Sequence, residues 1–240
     1  MRSPRGGSLR SAARLLARRA STAAVAPLAS TAMLALLASA SLAGQPGETP
    51  LEDILQVLVL DREVVAIDAR GGAETRIPLR RGELVERHRS RGQVGLVVTD
   101  LRLLAVGASS GAWQETDRRR GEQLRGEPQI GDRVALVVTT LRVLGFDGGS
   151  GNLVESRLGL RERELGRVVD ANVAVMVTDR RALGLSPFRG GFFEAPIQLD
   201  EKVETVEAAA NLATVRTSRR LLTFRAPSGS WSERRLGLGH

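Results

Sequence analysis

Cysteine is absent from the 240-residue chain. That excludes disulfides, thiolate chemistry and a lipidated cysteine, and leaves stability to packing alone. Histidine is nearly absent as well. With His88 and His240 as the only two, neither a zinc site nor a serine or cysteine triad can be assembled from ordinary parts. His88 stands between Arg87 and Arg89 in a charged stretch, where a solvated side chain is expected. Aromatic residues are scarce: two Trp, five Phe and no Tyr leave few faces on which a sugar could stack.

Acidic residues are missing from the first 47 positions, which hold six arginines (Arg2, Arg5, Arg10, Arg14, Arg18 and Arg19). The formal charge of +8 therefore belongs mostly to this leader, and the remainder is close to neutral. A nucleic-acid partner is not expected, because the rest of the chain has no large positive field. The basic stretch to Arg19 precedes an uncharged core around Met33-Leu34-Ala35-Leu36-Leu37, then small residues at Ala38-Ser39-Ala40 and Ser41-Leu42-Ala43. This is the order of an export signal, predicted over 1–43, with a mature start near Ser41 or Gly44. Arg18-Arg19 suits twin-arginine export, although Ala20, Ser21 and Thr22 match that motif poorly. An organelle transit peptide and an uncleaved anchor are the alternatives, the latter weakened by Pro27 and by many Ser and Thr.

What the chain has in abundance is repetition. Val57-Leu58-Val59-Leu60-Asp61, Leu96-Val97-Val98-Thr99-Asp100, Leu136-Val137-Val138-Thr139-Thr140, Val175-Met176-Val177-Thr178-Asp179 and Thr214-Val215-Arg216-Thr217-Ser218 recur about every 39 residues. A fixed period of this size marks a stack or ring of identical supersecondary units. Each unit divides into four short pieces broken by Gly, Ser, Pro or Asp, which predicts a four-stranded meander. The middle two pieces are apolar at successive positions, as in Leu96-Val97-Val98 and Leu103-Leu104-Ala105-Val106, so both faces of those strands should be buried. Strands with one wet face would alternate instead.

Five such units resemble β-propeller repeat proteins in architecture, over roughly residues 51–240, with no motif that names a family. The resemblance implies an all-β, five-bladed β-propeller: a ring with a central channel and ligand sites on one face. Segment 54–240 is assigned to it, and 44–53 to a linker or an irregular first strand. Ring closure is the open point, since the first strand of the first unit is missing before Ile54, and an open β-solenoid is the alternative.

Arg102, Arg142, Arg181 and Arg220 each precede an acid by 13 residues, namely Glu115, Glu155, Glu194 and Glu233, while the first unit reverses the order as Glu63 and Arg76. The swap predicts that the two positions touch across a hairpin, as a structural pair and not a basic ring. Asp61, Asp100 and Asp179 interchange with Thr140 and Ser218 and are read as turn acceptors, not metal ligands. Trp113, Phe192 and Trp231 share one position with Leu153 and are read as blade packing. Asp68, Asp147 and Asp170 are the non-repeated acids, with no visible convergence toward paired-carboxylate hydrolysis.

Arg216 is the candidate ligand contact, because its equivalents Val59, Val98, Val138 and Val177 are all valine in a strand expected to be buried. Either the last unit is open and the guanidinium reaches water, or it is paired in a polar site. Arg80, Arg81, Arg87, Arg89, Arg91 and Arg118 to Arg120 cluster where an anionic partner such as a phospholipid or polysaccharide would bind. No catalytic residue, metal site or cofactor is expected. The reading is an exported, monomeric, non-catalytic interaction module for a protein or envelope component. Its only membrane contact would be an uncleaved leader, and a lectin and a propeller glycosidase are the alternatives.

Overall fold

The computed structural model describes residues 53–237, which contain strands, turns and connections but no helix. The export signal expected over 1–43, and all of the 44–53 segment except Asp53, lie outside the described residues.

Five antiparallel meanders follow one another along the chain. Blade 1 has three strands, β1 (Leu55–Val59), β2 (Glu63–Asp68) and β3 (Glu74–Pro78). Blade 2 has β4 (Val85–Arg91), β5 (Val94–Thr99), β6 (Arg102–Gly107) and β7 (Trp113–Asp117). Blade 3 has β8 (Gln129–Ile130), β9 (Val134–Val138), β10 (Arg142–Asp147) and β11 (Asn152–Arg157). Blade 4 has β12 (Glu164–Asp170), β13 (Val173–Thr178), β14 (Arg181–Ser186) and β15 (Gly191–Pro196). Blade 5 closes the series with β16 (Val203–Ala209), β17 (Leu212–Thr217), β18 (Arg220–Arg225) and β19 (Ser230–Arg235). The strand β8 is short because Gly126, with φ +75°, and Pro128, which has no N–H to donate, interrupt the pairing that Leu124 begins opposite Thr139.

Apolar residues at successive positions do what their pattern requires. Every residue of β5, β6, β9, β10 and β13 is buried, so these strands are covered on both faces. The cover is the neighbouring blade. One apolar cluster joins blades 1 and 2 (Val57, Val64 and Ala66 with Val97 and Leu104), and others join blades 2 and 3, 3 and 4, and 4 and 5. Small residues on one blade admit large ones from the next. A Cβ on Gly145 would lie 2.8 Å from Leu185, and one on Gly184 would lie 2.6 Å from the Phe224 ring. Sheets stacked face to face in chain order, each a short meander, make this a five-bladed β-propeller.

The end blades differ from the middle ones. Burial alternates along β1 and β17, with Leu58 and Leu212 exposed while Val57 and Ala213 are buried. Among the described residues no hydrogen bond, ion pair or apolar cluster joins blade 5 to blade 1. Among the described residues blade 1 has three strands, and the 44–52 stretch, where an irregular first strand was the expectation, lies outside them.

Candidate functional site

Four copies of one polar network sit in the turns that connect the blades. Each turn carries a buried glutamate, Glu83, Glu122, Glu162 or Glu201. Around Glu122, the Thr139 hydroxyl donates to Oε1 (2.8 Å) and Arg142 Nε–H donates to the same oxygen (2.9 Å). The other oxygen, Oε2, accepts the Arg119 backbone N–H (2.7 Å) and Arg142 Nη2 (3.2 Å). Arg142 also donates through Nη2 to the Asp117 carbonyl of the preceding blade (2.6 Å), and through Nη1 to Thr116 Oγ1 (3.1 Å) and to Glu155. All five guanidinium donors are used. A lysine has three donors around one nitrogen and cannot span this fork. Lys202 is the one lysine among the 35 basic residues of the chain.

The pairs expected from the 13-residue spacing therefore exist in blades 2 to 5, and Arg76 meets Glu63 at 3.3 Å in blade 1. Sequence reasoning missed the second carboxylate. Glu83, Glu162 and Glu201 lie 16 residues before Thr99, Thr178 and Thr217, and Glu122 lies 17 before Thr139, so a second periodic signal was present. Glu83 belongs to the turn before β4 and is buried. Four of the five Asp, Thr and Ser positions, all but Asp61, accept a backbone N–H among the described residues. Asp100 Oδ1 accepts Leu84 N–H (2.8 Å), Asp179 Oδ1 accepts Arg163 N–H (3.0 Å), and Thr140 and Ser218 accept Gln123 and Lys202 N–H. The donors belong to the inter-blade turn rather than to the turn holding the acceptor.

Burial alone would push the Glu201 carboxyl up. The hydrogen bonds from Arg220, Thr217 and the Gln198 N–H outweigh it and lower the pKa from 4.5 to about 2. Glu83, Glu122 and Glu162 are lowered in the same way. Because the folded pKa is depressed, the stabilisation is complete above 4.5, where the unfolded glutamate is ionised, and is lost as pH falls toward about 2. For Glu201 this amounts to roughly 3 kcal/mol. Urea melts between pH 7 and pH 2.5 should show stability falling with acid in the wild type, with a shallower fall in Glu201→Gln. Equal slopes would mean that Glu201 is not held ionised.

The other marked residues are placed as follows. Arg216 is exposed and meets Glu204 at 2.9 Å on the outward face of blade 5, where no other blade covers it among the described residues. Trp113 packs in the seam of blades 1 and 2 and donates to Thr75 carbonyl (3.2 Å), and Trp231 packs on Phe224 and donates to Phe193 carbonyl (2.9 Å). Phe192 and Leu153 also pack against seam clusters. His88 is exposed. Asp68 binds Arg70, Asp147 accepts Gly149 N–H, and Asp170 accepts Ala171 and Ala210 N–H, so each is used in its own turn or seam. His240 lies outside the described residues. Most of the clustered arginines are ion-paired: Arg80 with Asp117 (2.8 Å), Arg87 with Glu127 (2.8 Å), Arg91 with Asp132 (2.9 Å), Arg118 with Glu86 (2.9 Å) and Arg119 with Glu155 (2.8 Å).

Clefts open to a ligand lie along the blades, including one of 340 Å³ lined by Gln198, Arg219, Arg220, Glu233 and Arg235. One of 600 Å³ lies between Asp61, Arg62, Arg80 and Arg81 at the turn between blades 1 and 2. Another of 480 Å³ runs past the first strands of blades 2, 3 and 4, lined by Arg89, Arg91, Glu127, Gln129 and Val169. Gln129 Oε1 is buried there without a hydrogen-bond partner.

No family model and no curated protein matches this sequence. Among solved structures it is similar to Hsv2 of Kluyveromyces lactis, at 9% identity over 80% of this chain and 63% of that one, with a TM-score of 0.36. It is similar to the N-terminal domain of Nup159 at 10% identity over 78% of this chain and 59% of that chain, with a TM-score of 0.32. For HIRA the values are 14%, 78%, 56% and 0.36. The chain thus spans less than two thirds of the length of each.

Proposed function

We propose that this protein is an exported, non-catalytic interaction module that holds its partner in the cleft along the first strands of blades 2 to 4. The observation that carries the reading is the unpartnered Gln129 Oε1 beside Arg89 and Arg91. A buried acceptor without a donor is costly, and turning the Gln129 amide into the cleft to meet a partner's N–H or O–H removes that cost. Flanking guanidiniums favour a partner that also carries carboxylate or phosphate groups, in keeping with a polysaccharide or an acidic protein segment of a cell envelope. A non-catalytic role fits the repeated carboxylates, each held ionised by an arginine and so unsuited to donate a proton.

Calorimetric titration with neutral and uronate-containing oligosaccharides, alongside chromogenic glycosides, tests this reading. Saturable binding of acidic but not neutral sugars, weakened at least tenfold by Arg89→Glu with Arg91→Glu, is the expected result, and turnover of any glycoside would overturn it. Export is tested separately by the mass of the chain recovered from an envelope fraction, which should begin near Ser41 or Gly44.

A further inference from the structure

Every internal seam carries the same directional backbone bond. Ile54 N–H donates to Gly92 carbonyl (2.9 Å), Gln93 to Asp132 (2.7 Å), Arg133 to Ala171 (2.9 Å) and Asn172 to Ala210 (2.9 Å). Each donor lies one repeat beyond the last, and each bond points from one blade to the next. Such a ladder leaves one donor unused at its end and one acceptor unused at its start. Among the described residues these are Asn211 N–H on blade 5 and Asp53 carbonyl on blade 1.

Among the described residues no other blade stands against the faces around these two groups, and their charge excess is opposite. On blade 5, Leu212, Arg216 and Arg225 are exposed, and the pairings Leu212 with Arg225, Arg216 with Leu221 and Leu221 with Arg234 place three arginines on the face turned away from Val215 and Phe224. Glu204 and Glu207 are the acids of that side. On blade 1, the face turned away from Val57 and Val64 presents exposed Leu58 and half-buried Ile67 beside buried Val65, and carries Glu63 and Glu74 against the single Arg76. A partner for the blade 5 face must therefore offer a turn carbonyl in register with an acidic, leucine-bearing sheet. Blade 1 is such a surface, and the blade 1 of the same chain makes no bond to it among the described residues.

We propose that blade 5 of one copy docks on blade 1 of a second copy, head to tail, so that Asn211 N–H meets Asp53 carbonyl and the arginine face meets the glutamate face. The contact is heterologous, so copies join into a closed ring or an open chain. It differs from the monomer expected from sequence, and it is independent of the cleft on the first strands.

Sedimentation of the purified protein over a range of concentrations, with the variants Leu58→Arg and Leu212→Glu, tests this. Both side chains are exposed, so the variants should keep the wild-type circular dichroism and thermal transition. The wild type should sediment as a multiple of the chain, with mass rising with concentration, and each variant alone should fall to a single chain. Mixed one to one, they should form a two-chain species and nothing larger, since Leu58→Arg retains a working blade 5 and Leu212→Glu a working blade 1. A wild type of single-chain mass at every concentration, variants that associate unchanged, or a mixture that stays at single-chain mass would each overturn the proposal.

Discussion

Arg142→Met is expected to destabilise the protein by about 3–5 kcal/mol, because it strips the counter-charge from a carboxylate that has no access to water. The Glu122 side chain is 0% exposed and Arg142 3%. Removing the guanidinium also leaves the Asp117 carbonyl and Thr116 hydroxyl without its donors, at the junction that ties blade 3 to blade 2. Arg142→Lys should recover only part of the loss, since an ammonium restores the charge but not the five-donor fork. The double variant Arg142→Met with Glu122→Gln should lose less than the sum of the single losses, because the stranded charge is gone. Acid gives a further check: in Arg142→Met, burial raises the Glu122 pKa, so the deficit relative to wild type should shrink below about pH 4. Urea melts report all of these, and a loss under about 1 kcal/mol for Arg142→Met would mean that water reaches Glu122.

Phe224→Ala should lower stability by a similar amount, about 3–5 kcal/mol, because the ring is fully buried in the seam between blades 4 and 5. The ring lies over Gly184 on one side and contacts Trp231 on the other, with centroids 5.0 Å apart. Gly184→Ala is expected to cost roughly 1–3 kcal/mol in the wild type, since its Cβ would press on that ring. In the Phe224→Ala background the same substitution should become close to neutral, as the methyl then enters the space the ring has left. This coupling is the discriminating measurement. If the glycine-to-alanine change costs the same in both backgrounds, its effect comes from the strand backbone and not from the seam.

Much of the propeller was legible in the sequence because a repeat writes each local decision five times. The spacing of Leu136-Val137-Val138 from Leu96-Val97-Val98 gives the unit, Gly and Pro mark its turns, and the absence of alternation announces that both faces are covered. The Arg102 and Glu115 pairing was equally visible, since the exchange to Glu63 and Arg76 in the first unit betrays contact. Glu83 and its equivalents were less so. They stand in turns rich in charge, and only the folded chain brings them 2.7 Å from Thr99 and 2.8 Å from Arg102, into a place without water.

Period, strand content and the identity of the cross-hairpin partners were thus determined by the chain itself, because they depend on residues a few positions apart on one meander. The tertiary structure alone decided which faces are covered and where the array ends. Leu58 is as apolar as Val97, yet one is exposed and the other buried, because burial of a blade face depends on whether another blade stands against it. Arg216 is the residue in which the two meet: its charge is written in the sequence, and the open face that lets it reach water exists only in the assembled sheets.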